Sequence, residues 1–337
     1  MSKNSNIALS KSKSLMDITN KLLSKNRDLV VDNGWVEKLW RWADKNEIPD
    51  LGWIENRNQP PIQGWWRTEC ESEHWGGEHW GGLPRDSEKL MNLTKLRLLD
   101  NNLSELPKEI GNLTNLTELN LSFNLLAELP KKIGNLTNLT ELYLGDNNLT
   151  KLSKEIGDLT NLTSLYLSGN NLTKLPKEIG DLTNLTLLNL SCNNLTELPK
   201  EIGNLKNLIE LSLFNSNLSE LPKEIGNLTN LTLLNLQLNN LTKLPKEIGN
   251  LTNLIELSLS NSTLSELPKE IGNLTNLTEL NLRNYHLTEL PKEIVNLTNL
   301  TKLNLNSNLF LTEEQTEWIR ELKDRSSYIC DCDDIPF

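Results

Sequence analysis

Residues 116–138 read LTELNLSFNLLAELPKKIGNLTN, and this pattern of leucines returns along the chain every 23 residues. The leading leucine occurs ten times with no insertion between units, at Leu93, Leu116, Leu139, Leu162, Leu185, Leu208, Leu231, Leu254, Leu277 and Leu300. Self-similarity at a fixed period of this size indicates a solenoid built from one structural unit per repeat. One elongated array is therefore predicted to fill most of the 337-residue chain.

Each unit combines a strand-like stretch with a short helical one. Leucines at the start of the unit alternate with polar residues, so one face of a strand points inward. Pro130 is predicted to open a short helical segment, because its missing N–H is not needed at a first helical position. Gly134 is predicted to close the turn. One such unit buries too little apolar surface to fold alone, so neighbouring units must share a core.

The motif LxxLxLxxNxL, followed by LPxxIGxLxxL, resembles the leucine-rich repeat family. The resemblance is to the 23-residue type found in Ras-group leucine-rich repeat proteins and in many bacterial homologues. It implies an α/β solenoid, or horseshoe, with a parallel concave sheet, short convex helical or 3-10 segments and helical caps at both ends. It also implies a protein-interaction module, although a fold alone does not define a function.

An asparagine after the strand is expected to form a ladder along the array, as it does in the family. An amide in this turn both donates to and accepts from backbone groups. The predicted ladder consists of Asn101, Asn124, Asn147, Asn170, Asn193, Asn239 and Asn308. Ser216, Ser262 and Tyr285 take its place in three units. Because tyrosine is too large for this position, we expect a distorted turn with an exposed ring at Tyr285.

Composition divides the chain into a tryptophan-rich head and a tryptophan-poor body. Eight of the nine tryptophans lie between Trp35 and Trp80. A repeat array needs atypical ends that shield its terminal leucines from water, and large tryptophans are suited to this role. The predicted segments are a polar N-terminal arm or helix at 1–30, a tryptophan-rich cap at 31–82, the array at 83–311, and a cap helix with an acidic tail at 312–337.

Charge and cysteine content restrict the class of partner. The chain has 34 Lys and Arg against 45 Asp and Glu, a net charge of −11, which argues against binding to nucleic acid or to anionic lipid. Four scattered cysteines are too few for a disulfide scaffold, which favours a reducing compartment. Neither a signal peptide nor a membrane span is recognised. We expect a cytoplasmic monomer, with non-classical export left open.

One group of residues in the head could bind a metal ion. Cys70, His74 and His79 lie in CESEHWGGEHWGG and have side chains that can bind zinc. Their C-x3-H-x4-H spacing is not a standard one and a fourth ligand is unassigned, so a cap turn duplicated by slippage is the preferred interpretation of the segment. No nucleophile–base pair or phosphate-binding loop is found, so we predict no enzyme activity and no cofactor. A zinc-dependent enzyme at the head and a secreted bacterial effector acting on host proteins are the alternatives.

The outward face of the predicted sheet is the candidate binding surface. Exposed aromatic residues on a rigid platform are typical of protein-interaction hot spots. We predict an acidic footprint centred on tyrosine that recognises a protein, and the alternative is an ordinary surface. The predicted partner-binding residues are Phe123, Glu141, Tyr143, Tyr166, Leu187, Glu210, Phe214, Leu233 and Leu238.

Two neighbouring units have been copied together. Residues 185–230 and 231–276 are identical at 40 of 46 positions, and no core leucine differs between them. Three of the six differences lie on or beside the exposed strand face. The core therefore tolerates copying, and the copies diverge at the surface.

Overall fold

A computed structural model of the chain describes residues 34–48, 50, 52–54, 79–283, 286–305, 312–325 and 330–331. Within these residues, eleven parallel strands form one sheet in the order of the chain, β3 to β13. Ten of these strands pair with their neighbours at an offset of 23 residues, as Leu119 does with Leu142, and the last strand joins through the pairing of Leu303 with Cys330. The predicted α/β solenoid with a parallel sheet is confirmed.

The sheet strands are three residues long except for the last. They are β3 Lys95–Arg97, β4 Glu118–Asn120, β5 Glu141–Tyr143, β6 Ser164–Tyr166, β7 Leu187–Asn189, β8 Glu210–Ser212, β9 Leu233–Asn235, β10 Glu256–Ser258, β11 Glu279–Asn281, β12 Lys302–Asn304 and β13 Cys330–Asp331. Two short strands, β1 Gly52–Ile54 and β2 His79–Gly81, form a separate antiparallel pair.

A 3-10 helix follows each strand from β3 to β11 and forms the opposite side of the solenoid. The nine 3-10 helices are Lys108–Asn112, Lys131–Asn135, Lys154–Asp158, Lys177–Asp181, Lys200–Asn204, Lys223–Asn227, Lys246–Asn250, Lys269–Asn273 and Lys292–Asn296. The α-helices of the described residues are α1 Gly34–Lys45, α2 Ser87–Met91 and α3 Glu313–Arg325. The core between sheet and 3-10 helices is continuous, and in the second unit Leu119, Leu121 and Ile133 have no exposed surface.

Proline and glycine act differently from the sequence prediction. Pro130 is the N-cap, with φ −65° and ψ 140°, and the 3-10 helix begins one residue later at Lys131. Gly134 lies inside that helix and does not close the turn. A Cβ on Gly134 would lie 2.7 Å from the Glu155 carbonyl oxygen of the next unit, so glycine permits the close approach of successive 3-10 helices.

Val295 replaces this glycine in the ninth unit, which contains the last of these 3-10 helices. The next element along the solenoid is α3, which contacts the last 3-10 helix. Val295 is half-buried and packs against the core. A side chain is therefore accepted where no further 3-10 helix has to fit.

The turn asparagines are buried and bind backbone groups of two units. Asn170 donates from Nδ2 to the carbonyls of Leu144, Leu167 and Ser168 at 2.9, 3.1 and 3.3 Å, and its Oδ1 accepts from the Leu149 N–H at 2.9 Å. Asn124, Asn147, Asn193 and Asn239 make equivalent bonds. Asn101, in the first unit, bonds to the Leu99 carbonyl. Asn308 and Tyr285 lie outside the described residues, and so does the distortion expected at Tyr285.

Serine at the same position makes fewer bonds. Ser216 donates from Oγ to the Leu190 carbonyl at 3.1 Å, and its N–H donates to Asn239 Oδ1 at 3.2 Å. It therefore replaces part of the amide's hydrogen bonding without opening the turn, since its side chain is fully buried.

Two further ladders on the outside of the array were not predicted. Asn161 Nδ2 donates to the Thr137 carbonyl at 2.8 Å, and the contact recurs at each unit from Asn115 to Asn299. Thr163 Oγ1 donates to the Thr140 carbonyl at 3.0 Å, and equivalent threonines do the same. Both residue types recur every 23 positions, so the signal was present in the sequence.

Helices close the described array at both ends. Helix α1 lies against the first 3-10 helix, where Trp40 Nε1 donates to the Pro84 carbonyl at 2.9 Å and Trp42 Nε1 to the Glu105 carbonyl at 3.3 Å. Helix α3 begins with a reciprocal capping box, in which Gln315 N–H donates to Thr312 Oγ1 at 3.2 Å and Thr312 N–H to Gln315 Oε1 at 3.0 Å. The predicted helical caps are confirmed, while the segment boundaries stay predictions.

Cys192 is bonded in a disulfide. The predicted cytoplasmic location stays a prediction.

Candidate functional site

The outward side of the sheet, here called the concave face, consists of two columns of side chains. Because alternate residues of a strand point to one face, the first and third residue of each strand lie on it. The first column is Lys95, Glu118, Glu141, Ser164, Leu187, Glu210, Leu233, Glu256, Glu279 and Lys302. The second column is Arg97, Asn120, Tyr143, Tyr166, Asn189, Ser212, Asn235, Ser258, Asn281 and Asn304.

Two tyrosines from neighbouring strands stack on this face. Tyr143 and Tyr166 are paired in the β5–β6 register, and their ring centroids are 4.7 Å apart with the planes 11° from parallel. The Tyr143 hydroxyl donates to Glu141 Oε2 at 2.6 Å. Burial, and secondly the Glu141 carboxylate, raise the pKa of Tyr143, so its hydroxyl stays protonated and remains a donor.

The prediction that the aromatic residues are exposed is wrong for two of them. Tyr143 is 8% exposed, because its ring is covered by the stacked Tyr166 and its hydroxyl is held by Glu141. Phe214 is 6% exposed, and the residues that precede and follow it by one unit, Ser191 and Gln237, are also buried.

The remaining predicted contact residues keep part of their surface. Leu238 is 39% exposed. The half-buried members are Phe123, Glu141, Tyr166, Leu187, Glu210 and Leu233. The sequence therefore placed these residues on the correct face but did not reveal how far neighbouring side chains cover them.

Three carboxylates of the first column have a partner within the array. Glu118 is buried and contacts Arg97 Nε at 2.6 Å and Lys95 Nζ at 2.8 Å. Burial alone would raise the pKa of Glu118, but the bonds to Arg97 and Lys95 outweigh it and lower the pKa. Glu279 contacts Lys302 Nζ at 2.5 Å, and Glu141 accepts from Tyr143.

Glu210 and Glu256 differ from these three carboxylates. Within the described part of the chain, neither makes a hydrogen bond or an ion pair, and Glu256 Oε2 is buried without a donor. Burial raises the pKa of both carboxyls, and the neighbouring Glu279 raises that of Glu256 further. A partly buried carboxylate without a partner is stabilised when a cation contacts it.

The turn at the edge of the concave face contains strained backbone. The residue before each turn asparagine has a positive φ, which Gly169, Asp146, Asn215 and other small polar residues adopt readily. Phe123 has φ 57° and Leu238 has φ 54°, although neither residue type favours this conformation. Strained residues of this kind cluster at binding sites, and both belong to the predicted contact set.

The candidate zinc site at Cys70, His74 and His79 stays a prediction. Among the described residues, no group of three or more His, Cys, Asp and Glu side chains could hold a metal ion. Cys70 and His74 lie outside those residues, and His79 is described only as part of strand β2.

In the parts of the chain that the structure describes, every helix is too short or too polar to cross a bilayer.

Comparison with known proteins identifies the repeat. A family model described as a leucine-rich repeat region matches residues 83–165, 142–216 and 246–328, more than half of the chain. No curated protein matches the chain.

Several solved structures resemble the chain. A leucine-rich repeat protein of Leptospira interrogans is 36% identical over 73% of this chain and 86% of its own, with a TM-score of 0.43. A TDR receptor is 31% identical over 71% and 43% of the two chains, with a TM-score of 0.63.

A second plant structure is the ectodomain of the Arabidopsis thaliana membrane receptor kinase GASSHO1/SCHENGEN3, in complex with CASPARIAN STRIP INTEGRITY FACTOR 2. It is 32% identical over 72% of this chain and 36% of its own, with a TM-score of 0.53. The chain thus spans less than half of this ectodomain and of the TDR receptor.

Proposed function

Because this chain belongs to the leucine-rich repeat proteins, we propose that it is a non-catalytic interaction module that binds a partner protein on its concave face. The observation that carries the proposal is the composition of that face. Half-buried apolar and aromatic side chains, Tyr166, Leu187 and Leu233, lie among polar groups on a continuous hydrogen-bonded sheet. An apolar centre surrounded by polar residues is the usual anatomy of a protein interface.

The predicted contact residues divide into two roles. Phe123, Tyr166, Leu187, Leu233 and Leu238 offer apolar surface to a partner, and Glu141 and Glu210 offer carboxylates. Tyr143 supports Tyr166 through the ring stack, and Phe214 fills space beneath the surface. Because such a surface is already rigid, the entropic cost of binding a partner is lower.

The relatives and the charge favour a protein as the partner. The GASSHO1/SCHENGEN3 ectodomain was solved with a bound factor, and its repeats resemble those of this chain. The net charge of −11 opposes binding to nucleic acid or to anionic membranes. The proposal includes a monomeric module without enzyme activity.

The test uses substitutions that the array itself contains. Asparagine occupies the position of Tyr166 in the unit of Asn189, and the position of Phe123 in the unit of Asn215. We expect Phe123→Asn/Tyr166→Asn to stay folded and to lose at least one protein that wild type captures from a lysate of the source organism. Leu125→Ser is the control, because Leu125 is 49% exposed and belongs neither to the two columns nor to the predicted partner-binding residues.

Two results would contradict the proposal. One is capture of the same proteins by wild type and by the double variant, with circular dichroism showing that both are folded. The other is an equal loss of captured protein with Leu125→Ser, which would indicate nonspecific hydrophobic binding and no recognition by the concave face.

A further inference from the structure

The copied pair of units carries a second, more specific feature on the concave face. We propose that Leu187, Ile209, Glu210, Leu233, Ile255 and Glu256, here called the doublet patch, bind a basic segment of a partner protein through two Lys or Arg side chains about 10 Å apart. This inference depends on the proposed function, because it specifies which chemistry the concave face recognises.

Apolar side chains lie beside each carboxylate of the doublet patch. Glu210 lies between Leu187 and Leu233 in the strand register, and Glu256 lies between Leu233 and Glu279, which is paired with Lys302. Ile209 and Ile255 precede the two glutamates in sequence, and each is 42% exposed. Glu210 is therefore flanked by leucine on both sides and Glu256 on one, and each has an exposed isoleucine next to it in the chain.

The two isoleucines replace residues that stabilise the array. Other units have a threonine here, and Thr186 donates from Oγ1 to the Thr163 carbonyl at 3.0 Å. Isoleucine cannot make this bond, although the Ile209 N–H still donates to the Thr186 carbonyl at 2.8 Å. An exposed apolar side chain that gives up a hydrogen bond has no structural advantage, which points to a binding role.

The two carboxylates lack the partners that the others have. Arg97 and Lys95 neutralise Glu118, and Lys302 contacts Glu279. In the described residues neither Glu210 nor Glu256 has such a contact, and Glu256 Oε2 is buried without a donor. The doublet patch therefore contains two carboxylates that a positively charged partner would stabilise.

A Lys or Arg side chain matches this combination. Its aliphatic stem packs on leucine and isoleucine while its charged head contacts the carboxylate. A small cation would use the carboxylates and leave the isoleucines without a role. The apolar surround therefore favours a basic side chain of a protein.

The repeat distance defines the spacing of the two cations. Glu210 and Glu256 occupy equivalent positions in the two copies, with one strand, β9, between them. Neighbouring strands are about 4.8 Å apart, so the two positions are about 9.6 Å apart. In a polyproline II segment, every third residue points to the same side and lies about 9.3 Å further on. Basic residues three apart in such a segment match the doublet patch.

The experiment measures binding of the fluorescein-labelled peptide Arg-Pro-Pro-Arg-Pro-Pro-Arg to the full chain by fluorescence anisotropy. We expect saturable binding by wild type and at least a tenfold higher Kd for Glu210→Gln/Glu256→Gln. The matched control is Glu220→Gln/Glu266→Gln, which removes the same two charges from exposed positions of the same two copies. Its Kd should stay within twofold of wild type.

Two further reagents test the apolar component and the need for more than one cation. Ile209→Thr/Ile255→Thr restores the residue of the other units, so it should remain folded and raise the Kd severalfold. The peptide Ala-Pro-Pro-Arg-Pro-Pro-Ala, with one cation, should bind wild type at least tenfold more weakly than the first peptide.

The inference is overturned if wild type does not bind, or if both glutamine variants weaken binding equally, which would indicate attraction to the net charge alone. It fails separately from the proposed function. Loss of a captured protein in Phe123→Asn/Tyr166→Asn, together with no peptide binding, would retain the interaction module and remove the basic ligand.

Discussion

Arg97 donates from Nε to Glu118 Oε1 at 2.6 Å, and this contact joins the first two strands of the large sheet. Lys95 Nζ lies 2.8 Å from the other carboxylate oxygen. The Glu118 side chain is buried, whereas Lys95 is largely exposed. Water can therefore replace Lys95 as a partner of Glu118 more easily than it can replace Arg97.

We expect Arg97→Gln to destabilise the protein by about 1–3 kcal/mol, because it leaves a buried carboxylate with a single, solvent-screened cation. Lys95→Gln should cost less than about 1 kcal/mol. Urea unfolding at neutral pH measures both. Equal effects would contradict the role assigned to burial.

The pH dependence of stability should distinguish Glu210 and Glu256 from Glu118. A raised pKa means that the folded state binds the proton more tightly than the unfolded state, so stability falls as pH rises through the ordinary carboxyl range. Glu210→Gln/Glu256→Gln should therefore raise the melting temperature at pH 7, and the gain should shrink toward pH 4. Melting curves across this range test it. A gain in melting temperature that grows as the pH falls would contradict this prediction.

Removal of Glu118 should show the opposite trend. Its lowered pKa stabilises the folded state above the ordinary carboxyl pKa, and this contribution is lost as pH falls. Glu118→Gln is therefore expected to lower the melting temperature at pH 7 and to approach wild type in acid. The same melting curves measure it, and a constant difference at every pH would contradict the assignment.

Asn170→Ala removes three donated bonds and one accepted bond from a buried turn. Unpaired buried backbone groups are costly, so we expect a loss of about 2–4 kcal/mol in urea unfolding. Asn170→Ser should cost less, since Ser216 is accommodated in its own unit. The exposed Asn161→Ala serves as control and should cost under about 1 kcal/mol.

Gly134→Val should destabilise the array by about 1–3 kcal/mol or more, because its Cβ would press on the Glu155 carbonyl oxygen. Val295→Gly loses only part of a half-buried side chain and should cost less. Chemical unfolding of both variants compares them. A tolerated valine at 134 would show that the 3-10 helices can move apart.

The leucine pattern was sufficient to predict the strands and the shared core, because Leu119, Leu121 and Ile133 have no alternative to burial in a stacked array. It did not reveal that Tyr143 and Phe214 are covered. Alternation defines the face to which a side chain points, whereas its exposure depends on neighbours 23 residues away. The role of Gly134 was mistaken for the same reason, since the atom that excludes a Cβ belongs to the next unit.

Val295 makes the C-terminal end of the array sterically different from its interior. At eight preceding positions glycine leaves room for another unit, and at Val295 a side chain occupies that room. A unit inserted after Val295 would meet a steric barrier, whereas one inserted earlier would meet glycine on both sides. The copying of 185–230 into 231–276 lies in the permissive interior. At this position of the repeat, the interior of the array can thus take in a further unit without a steric clash, whereas its C-terminal end cannot.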